Sequence, residues 1–127
     1  MKITAYGEPY PKGRPKIRVI GRFPQVYTPP KTREAESTFL KQVINQRPEE
    51  PFEGPLSVSI AFFKLKPKSY KKDHTHWDKK PDLDNLIKLV LDALNKVFWK
   101  DDAQVVELNC TKAFAETPRT EVIIRNL

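Results

Sequence analysis

Alternation of apolar and polar residues predicts several strands in this chain. The clearest runs from Leu56 to Phe62, where apolar side chains fall at every second position. Shorter alternations predict strands around Ile3 and Ala5, around Val106 to Cys110, and around Val122 and Ile124. The segments 16–20 and 23–27 flank Gly21-Arg22, an arrangement that predicts a hairpin.

Helical periodicity is confined to two segments. The first opens at Pro29-Pro30, with Thr28 or Thr32 as its cap, and Pro48 ends it. Its apolar positions share one face: Ala35, Phe39, Leu40, Val43 and Ile44. The second is predicted to run from about Leu83 to Phe98. Its buried stripe comprises Leu83, Leu86, Ile87, Val90, Leu94 and Val97.

This order of strands and helices predicts an α+β fold, with two main helices packed on one mixed β-sheet. With 127 residues, the chain is expected to form a single domain, 1–127, because two independent cores would each be too small to bury enough surface. No apolar run resembles a signal peptide or approaches bilayer length. The single cysteine, Cys110, lies in an alternating pattern and is interpreted as a core residue rather than a nucleophile. These features predict a soluble cytoplasmic protein without a membrane partner.

The chain carries a formal net charge of +7, which favours a polyanionic partner. The charge is unevenly distributed, since no acidic residue occurs from Pro9 to Arg33 and a second basic block runs from Lys64 to Lys80. The residues predicted to contact DNA come from these two blocks: Lys12, Arg14, Lys16, Arg18, Lys71, Lys72 and Lys80. An ordinary solvated strand face remains an alternative for the evenly spaced residues from Lys12 to Arg18.

Acidic residues collect just after the second basic block. Asp82 and Asp84 open the second predicted helix, Lys88 follows one turn after Asp84, and Asp101-Asp102 comes after the helix. Mg²⁺ prefers oxygen ligands, and clustered carboxylates hold it for phosphodiester hydrolysis, with a lysine near the phosphate. The sequence therefore predicts a metal-dependent nuclease site among these residues.

The length of the helix leaves the assembly of this site open. At about 1.5 Å per residue, Asp102 would lie some 20 Å or more from Asp82. The chain either turns back after Trp99-Lys100 to bring the acids together, or Asp102 meets Asp82 or Asp84 of a second subunit.

Structural roles for the same residues are the main alternative. Asp82 can cap the helix, Asp84 and Lys88 can form a surface pair, and Asp101-Asp102 can form a turn. His74 and His76 lack further zinc ligands nearby and are better read as loop residues near DNA. Trp77 is either a base-stacking residue or a cap on its loop.

The motif Lys80-Pro81-Asp82-Leu83-Asp84-Asn85-Leu86-Ile87-Lys88, followed by Asp92-Ala93-Leu94 and Asp101-Asp102-Ala103-Gln104-Val105, resembles the signature of the RusA family of Holliday junction resolvases. The basic opening from Pro9 to Lys16 and the late Lys112 are also similar to that family. One departure is Asn95-Lys96, where Asn-Gly is frequent in the family.

The resemblance implies a RusA-like homodimer that cuts four-way DNA junctions by paired symmetric nicks, in recombination and repair. Mg²⁺ is the implied cofactor, and Mn²⁺ can substitute. By the same resemblance Asp82, Asp84 and Asp102 are the essential acids and metal ligands, Lys88 is the essential lysine, and Asp101 is a secondary ligand candidate. Many relatives are encoded by phages or prophages.

Two other functions stay open from the sequence. One is a non-catalytic nucleic-acid-binding module, and the other is an RNA nuclease with the same metal chemistry. The dimer interface is not defined, and its aromatic candidates can equally belong to the core: Phe63, Trp77, Phe98 and Trp99.

Overall fold

A computed structural model describes residues 1–13 and 15–127. Arg14, one of the predicted DNA contacts, lies outside the described residues. The elements in chain order are β1 (Lys2–Tyr6), β2 (Lys16–Ile20), β3 (Phe23–Tyr27), α1 (Pro30–Val43), β4 (Leu56–Lys64), α2 (Leu83–Leu94), β5 (Val105–Phe114) and β6 (Arg119–Asn126).

Four strands form one mixed sheet in the order β1-β6-β4-β5. The central strand β4 pairs antiparallel with β6 and parallel with β5, and β1 pairs antiparallel with β6. A parallel pair needs a crossover connection, and α2 provides it between β4 and β5. Both helices pack on the sheet around buried Val58, Ile60 and Phe62. The α+β prediction is confirmed.

Strands β2 and β3 form a separate two-stranded hairpin with the bounds that the sequence predicts. All of β2 and β3 as far as Val26 is exposed, so the hairpin projects from the body rather than joining the main sheet. The expectation of one sheet therefore holds for four of the six strands.

The start of α1 differs from the prediction. Its N-cap is Pro29, and neither Thr28 nor Thr32 supplies a capping side chain. The Thr32 hydroxyl is buried and accepts a hydrogen bond of 3.0 Å from the backbone N–H of Gly13. A Cβ at Gly13 would lie 2.6 Å from that hydroxyl, so only glycine fits this close approach.

The end of α2 also differs, because the helix stops at Leu94 rather than Phe98. Asn95 has φ −58° and ψ 138°, Lys96 has φ 69°, and Val97 N–H donates to Leu94 C=O at 3.1 Å. These values describe a type II β-turn with lysine at the position that favours glycine. Val97 and Phe98 continue the apolar stripe in sequence although they lie beyond the helix.

Three of the aromatic interface candidates belong to the core, since Trp77, Phe98 and Trp99 are all buried. Phe63 is half-buried, with the Arg119 guanidinium 4.0 Å from its ring centre. Burial raises the pKa of the half-buried Cys110 thiol, which keeps it protonated, as a structural cysteine should be. No helix among the described residues is both long and apolar enough to cross a membrane.

Candidate active site

Two exposed carboxylates stand at the N-terminus of α2. Asp82 occupies the N-cap position, but its side chain accepts no capping hydrogen bond, and Asp84 lies in the first turn. Lys88 pairs with Asp92 at 3.0 Å rather than with Asp84. Over residues 1–13 and 15–127, no basic side chain lies within ion-pair distance of Asp82 or Asp84. The capping hydrogen bond of Asp82 and the Asp84–Lys88 pair are thus not observed, although both acids stand at the positive end of the helix dipole.

A groove of about 510 Å³ lies beside Asp82. The proline-rich segment 9–13 forms one wall, because Lys12 N–H donates to Asn85 C=O at 2.9 Å in the first turn of α2. Residues from the basic loop and the start of the helix form the other wall: Lys80, Pro81, Asp82 and Asn85. The groove thus places a carboxylate between basic segments.

Lys12 joins this segment to both helices. Its ammonium pairs with Glu36 of α1 and, at 3.0 Å, with Asp92 of α2. Burial lowers the pKa of Lys12, but the hydrogen bonds and charges of Glu36 and Asp92 outweigh that effect and leave the pKa above its usual value. Lys12 therefore holds the groove wall in place, in addition to any role on DNA.

Lys112, near the end of β5, holds the loop that precedes Asp82. Its ammonium donates to Lys79 C=O at 2.8 Å and to Pro81 C=O at 2.9 Å. It also lies 5.0 Å from the ring centre of buried Trp77. These contacts fix the backbone on which Asp82 stands.

Asp101 and Asp102 lie beyond the C-terminal end of α2. Asp101 caps the short 3₁₀ turn Asp102–Gln104, in a capping box with Gln104. The Gln104 amide then donates to the carbonyls of Phe52 and Gly54. One oxygen of the half-buried Asp102 accepts a hydrogen bond of 2.8 Å from the indole N–H of buried Trp99. Asp101 is therefore committed to a structural contact, and Asp102 keeps a second oxygen.

Within one chain the acids are divided between the two ends of α2. The helix contains 12 residues, which gives it a length of about 18 Å. Strand β5 does not return Asp102 to the Asp82 end, because Lys112, ten positions further along the chain, is the residue that reaches Pro81. No group of three or more acidic, histidine or cysteine side chains that could hold a metal forms in the described part of the chain.

The donor set at the Asp82 end fits a hard divalent cation only in part. Two carboxylates without cap or ion-pair partners among the described residues suit Mg²⁺, which binds through one or two carboxylates and keeps several waters. Asp102 of the same chain cannot complete this set. The candidate ligands therefore lie in two separate places within one chain, one at each end of α2.

The other residues that were predicted to contact DNA lie in exposed positions. Lys16 and Arg18 lie on the projecting hairpin, where the Arg18 guanidinium stacks 4.9 Å from the ring centre of Tyr27. Lys71, Lys72 and Lys80 are exposed in the basic loop.

Neither histidine of the loop belongs to a group of three or more possible metal ligands among the described residues. The His74 ring nitrogen contacts Asp78 at 2.7 Å, and the His74 ring packs on Tyr70. Trp77 is buried rather than presented to a base.

The sequence did not predict that Trp99 holds Asp102 or that Glu36 and Asp92 hold Lys12. Each partner lies far along the chain or beyond a turn, so spacing gives no signal for it. Asp92 belongs to the motif that carries the family resemblance, and this was the only signal in the sequence for its role.

Comparison with known proteins identifies the family of the chain. The family model described as endodeoxyribonuclease RusA matches residues 6–125. The whole chain is 34% identical to the uncharacterized protein YqaN of Bacillus subtilis (strain 168), covering 96% of that protein. It is also 37% identical over 87 residues to the crossover junction endodeoxyribonuclease of Lactococcus phage r1t, over 65% of each chain. The chain therefore belongs to the RusA family and is an endodeoxyribonuclease.

Proposed function

We propose that this endonuclease resolves four-way DNA junctions as a homodimer, using Mg²⁺ or Mn²⁺ to make paired, symmetric nicks in recombination and repair. Its expected location is the bacterial cytoplasm, and a phage or prophage is a candidate source of its gene. The division of the acids between the two ends of α2 supports the dimer most directly, because neither end holds a complete set of ligands. A four-way junction also presents two equivalent strands, which matches a two-fold symmetric enzyme.

In the proposed dimer each active site is shared. Asp82 and Asp84 come from one chain, and Asp102 comes from its partner, with its orientation held by Trp99. A bound metal ion would supply an oriented attacking water and neutralise the leaving oxygen. Lys88, exposed one turn after Asp84 and paired with Asp92, would leave that pair to approach a phosphate.

The basic segments supply affinity for the DNA backbone. Lys16, Arg18, Lys71, Lys72 and Lys80 are exposed, and Lys80 at the end of the basic loop lines the groove beside Asp82. Contacts to phosphates position a nucleic acid without reading its sequence, which suits an enzyme selective for junction shape.

Cleavage of a labelled synthetic junction tests the activity. Wild-type protein should cut it with Mg²⁺ and not with EDTA, and a linear duplex of the same sequence should be cut far more slowly. Asp82→Asn, Asp84→Asn and Asp102→Asn should each abolish cutting but leave junction binding intact or tighter, because each removes a negative ligand and no phosphate contact. Wild-type cutting by any one variant would remove that residue from the site.

Mixing two inactive variants tests whether the site is shared. In a heterodimer of Asp82→Asn and Asp102→Asn chains, a shared arrangement restores one intact site, whereas sites contained in single chains leave both defective. The two proteins, mixed and allowed to exchange subunits, should nick a supercoiled cruciform plasmid that neither cuts alone. The product should be a nicked circle, since only one site is intact. Failure to recover nicking after proven exchange would contradict the shared site.

The same substrates distinguish the alternatives. Binding without metal-dependent cutting would favour the non-catalytic module, and equal cutting of a matched RNA duplex would favour the RNA nuclease. Cutting confined to the DNA junction supports the proposal.

A further inference from the structure

The β2–β3 hairpin has one face that is entirely apolar. Directly paired residues of an antiparallel ribbon lie on the same face, and Ile17 pairs with Val26 while Val19 pairs with Pro24. Ile17, Val19 and Val26 are 69%, 70% and 65% exposed. These four residues, called here the arm face, form an aliphatic patch that is open to solvent.

An exposed aliphatic face of this kind needs a partner. An isolated two-stranded hairpin is marginally stable in water, and contiguous exposed apolar patches generally mark interaction sites. The arm face lies on a ribbon whose residues are exposed up to Val26. The described part of its own chain therefore does not cover it.

The opposite face of the ribbon has a different chemistry. Lys16 and Tyr27 form one pair there, and Arg18 and Gln25 form another, with Arg18 Nε donating to the Gln25 amide oxygen at 3.0 Å. Only the third pair of this face, Ile20 with Phe23 at the tip of the hairpin, is apolar. Aliphatic side chains offer no donor to a phosphate or a base edge, whereas this face offers an ammonium and a guanidinium. DNA is thus the natural partner of the basic face, and a protein surface is the natural partner of the arm face.

The chain itself presents a complementary surface on β5. This strand is an edge of the main sheet, and its Val106 and Leu108 are 61% and 46% exposed. Glu107 and Asp101 are exposed beside them. The apolar edge matches the arm face in hydrophobicity, and the negative charge beside this edge favours a protein segment of basic character over DNA as its partner.

The hairpin and the Val106–Leu108 edge each lie close to one of the two groups of acids. The hairpin is rooted at the Asp82 end of α2, where Gly13 binds Thr32 and Lys12 binds Asn85. The Val106–Leu108 edge follows Asp102 directly at the other end. Contact between the hairpin of one chain and this edge of another would bring the Asp82 end of the first chain to the Asp102 end of the second.

We propose that the hairpin is a dimerisation arm, whose arm face packs on the Val106–Leu108 edge of β5 in a second copy of the chain. The proposal rests on the shared active site proposed above and identifies the contact that holds the two halves together. It leaves the basic face of each hairpin available to the DNA.

Charged substitutions on the two surfaces test the contact by sedimentation equilibrium. Wild-type protein should sediment at about twice the chain mass of 14.8 kDa. Val19→Lys with Val26→Lys, and separately Leu108→Lys, should raise the dimer dissociation constant at least tenfold. These side chains are exposed, so circular dichroism should show a folded chain. Ile123→Lys, on an exposed apolar residue of β6, is the matched control and should leave the dimer unchanged.

Cross-linking tests which surfaces meet. In a Cys110→Ser background, a Val19→Cys chain mixed with a tagged Leu108→Cys chain should give a covalent heterodimer with a short bismaleimide. Each variant alone should give little cross-linked dimer. Efficient cross-linking of the Val19→Cys chain to itself would show that the hairpins meet each other, and would overturn the proposal. A stable dimer without the mixed cross-link would overturn it too.

Junction cutting measured on the same proteins separates this proposal from the proposed function. If wild-type protein cuts the junction but the Val19→Lys, Val26→Lys variant stays dimeric, the arm is wrong and the resolvase function stands. If that variant stays dimeric and loses DNA binding, the arm face lies on DNA and the proposal is overturned. If wild-type protein forms the cross-linked dimer but cuts no junction, the arm stands and the resolvase function fails.

Discussion

The indole of Trp99 is the only donor within the described residues that holds the Asp102 carboxylate, at 2.8 Å. Trp99 is fully buried, so its ring is fixed by the core and transmits that rigidity to the acid. Groups that orient a metal ligand typically affect metal affinity or activity by about 10–100-fold when removed. The orientation of Asp102, in the turn that precedes β5, is therefore set by a buried residue of the core.

Trp99→Phe should lower the rate of junction cutting by about 10–100-fold and raise the Mg²⁺ concentration needed for half-maximal cutting. The smaller ring also leaves a cavity that costs about 1–3 kcal/mol of unfolding free energy. Phe98→Leu, at a fully buried neighbour, should cause a similar loss of stability without changing the Mg²⁺ requirement. Equal Mg²⁺ requirements in the two variants would show that the indole contact does not position Asp102.

Lys12 stabilises the fold through its partly buried ion pairs with Glu36 and Asp92. Lys12→Met should lower the free energy of unfolding by about 1.5–3 kcal/mol, because two charged hydrogen bonds are lost and Glu36 and Asp92 are left together. Lys2→Met, which removes an exposed pair with Glu121, should cost only about 0–1 kcal/mol. Equal losses in urea unfolding at neutral pH would contradict the internal role of Lys12.

The pH dependence of this contribution follows from the raised pKa of Lys12. A raised folded-state pKa gives stabilisation that is fully present below the unfolded value of 10.5 and is lost as pH rises through the folded-state value. The difference in stability between wild-type protein and Lys12→Met should therefore be constant at neutral pH and shrink in strongly alkaline solution.

At the scale of elements, the turn after α2 carries a local strain. Lys96 adopts φ 69° at the third position of a type II turn, where glycine is favoured. Lys96→Gly should raise the free energy of unfolding by about 0.5–1 kcal/mol, since relief of a left-handed cost of about 1–2 kcal/mol is partly offset by the greater freedom of glycine in the unfolded chain.

Lys96→Ala is the matched control for this turn. It removes the same charge and side chain but keeps a Cβ in the left-handed region, so thermal unfolding should show no gain. A gain equal to that of Lys96→Gly would attribute the effect to charge instead of backbone conformation.

The elements differ in how far the sequence predicts them, and the reason is the range of the interactions involved. Alternation is local, so the bounds of the hairpin strands were predicted correctly. The end of α2 was predicted about one turn too late, because Val97 and Phe98 continue the apolar stripe after a backbone turn that periodicity does not register. The prediction that Thr28 or Thr32 caps α1 was wrong, because the N-cap is Pro29. The Thr32 hydroxyl instead accepts a hydrogen bond from Gly13, which is distant in sequence.

In the candidate site too, the sequence predicts what depends on local patterns and leaves open what depends on tertiary contacts. The motif around Asp82 and Asp84 is contiguous and was found from the sequence, as was Asp102. Whether they meet within one chain depends on where β5 begins relative to α2, and the sequence left this open. The contacts of Lys112 with Pro81 and of Trp99 with Asp102 come from tertiary packing.

At the scale of the whole molecule, the charge is arranged so that the basic loop adjoins the groove at Asp82. Lys71, Lys72 and Lys80 are exposed in this loop, and Lys80 lines the groove. Each phosphate neutralised by such a cation releases condensed counterions, and on duplex DNA the slope of log K against log salt changes by about −0.9 per contact. The loop should therefore control the salt dependence of binding, separately from the acids that are proposed to bind the metal ion.

Replacing Lys71, Lys72 and Lys80 together with Gln should weaken junction binding and make the salt slope shallower by about 2.7, three contacts at about 0.9 each. A matched control removes the same number of charges from exposed positions away from the groove, by Lys2→Gln, Lys41→Gln and Arg125→Gln. Both triple variants have the same net charge, so a general electrostatic effect would change their slopes equally. Fluorescence anisotropy of a labelled junction over a series of salt concentrations measures the difference. A shallower slope in the loop variant alone places the basic loop on the DNA, and equal slopes would remove it from the interface.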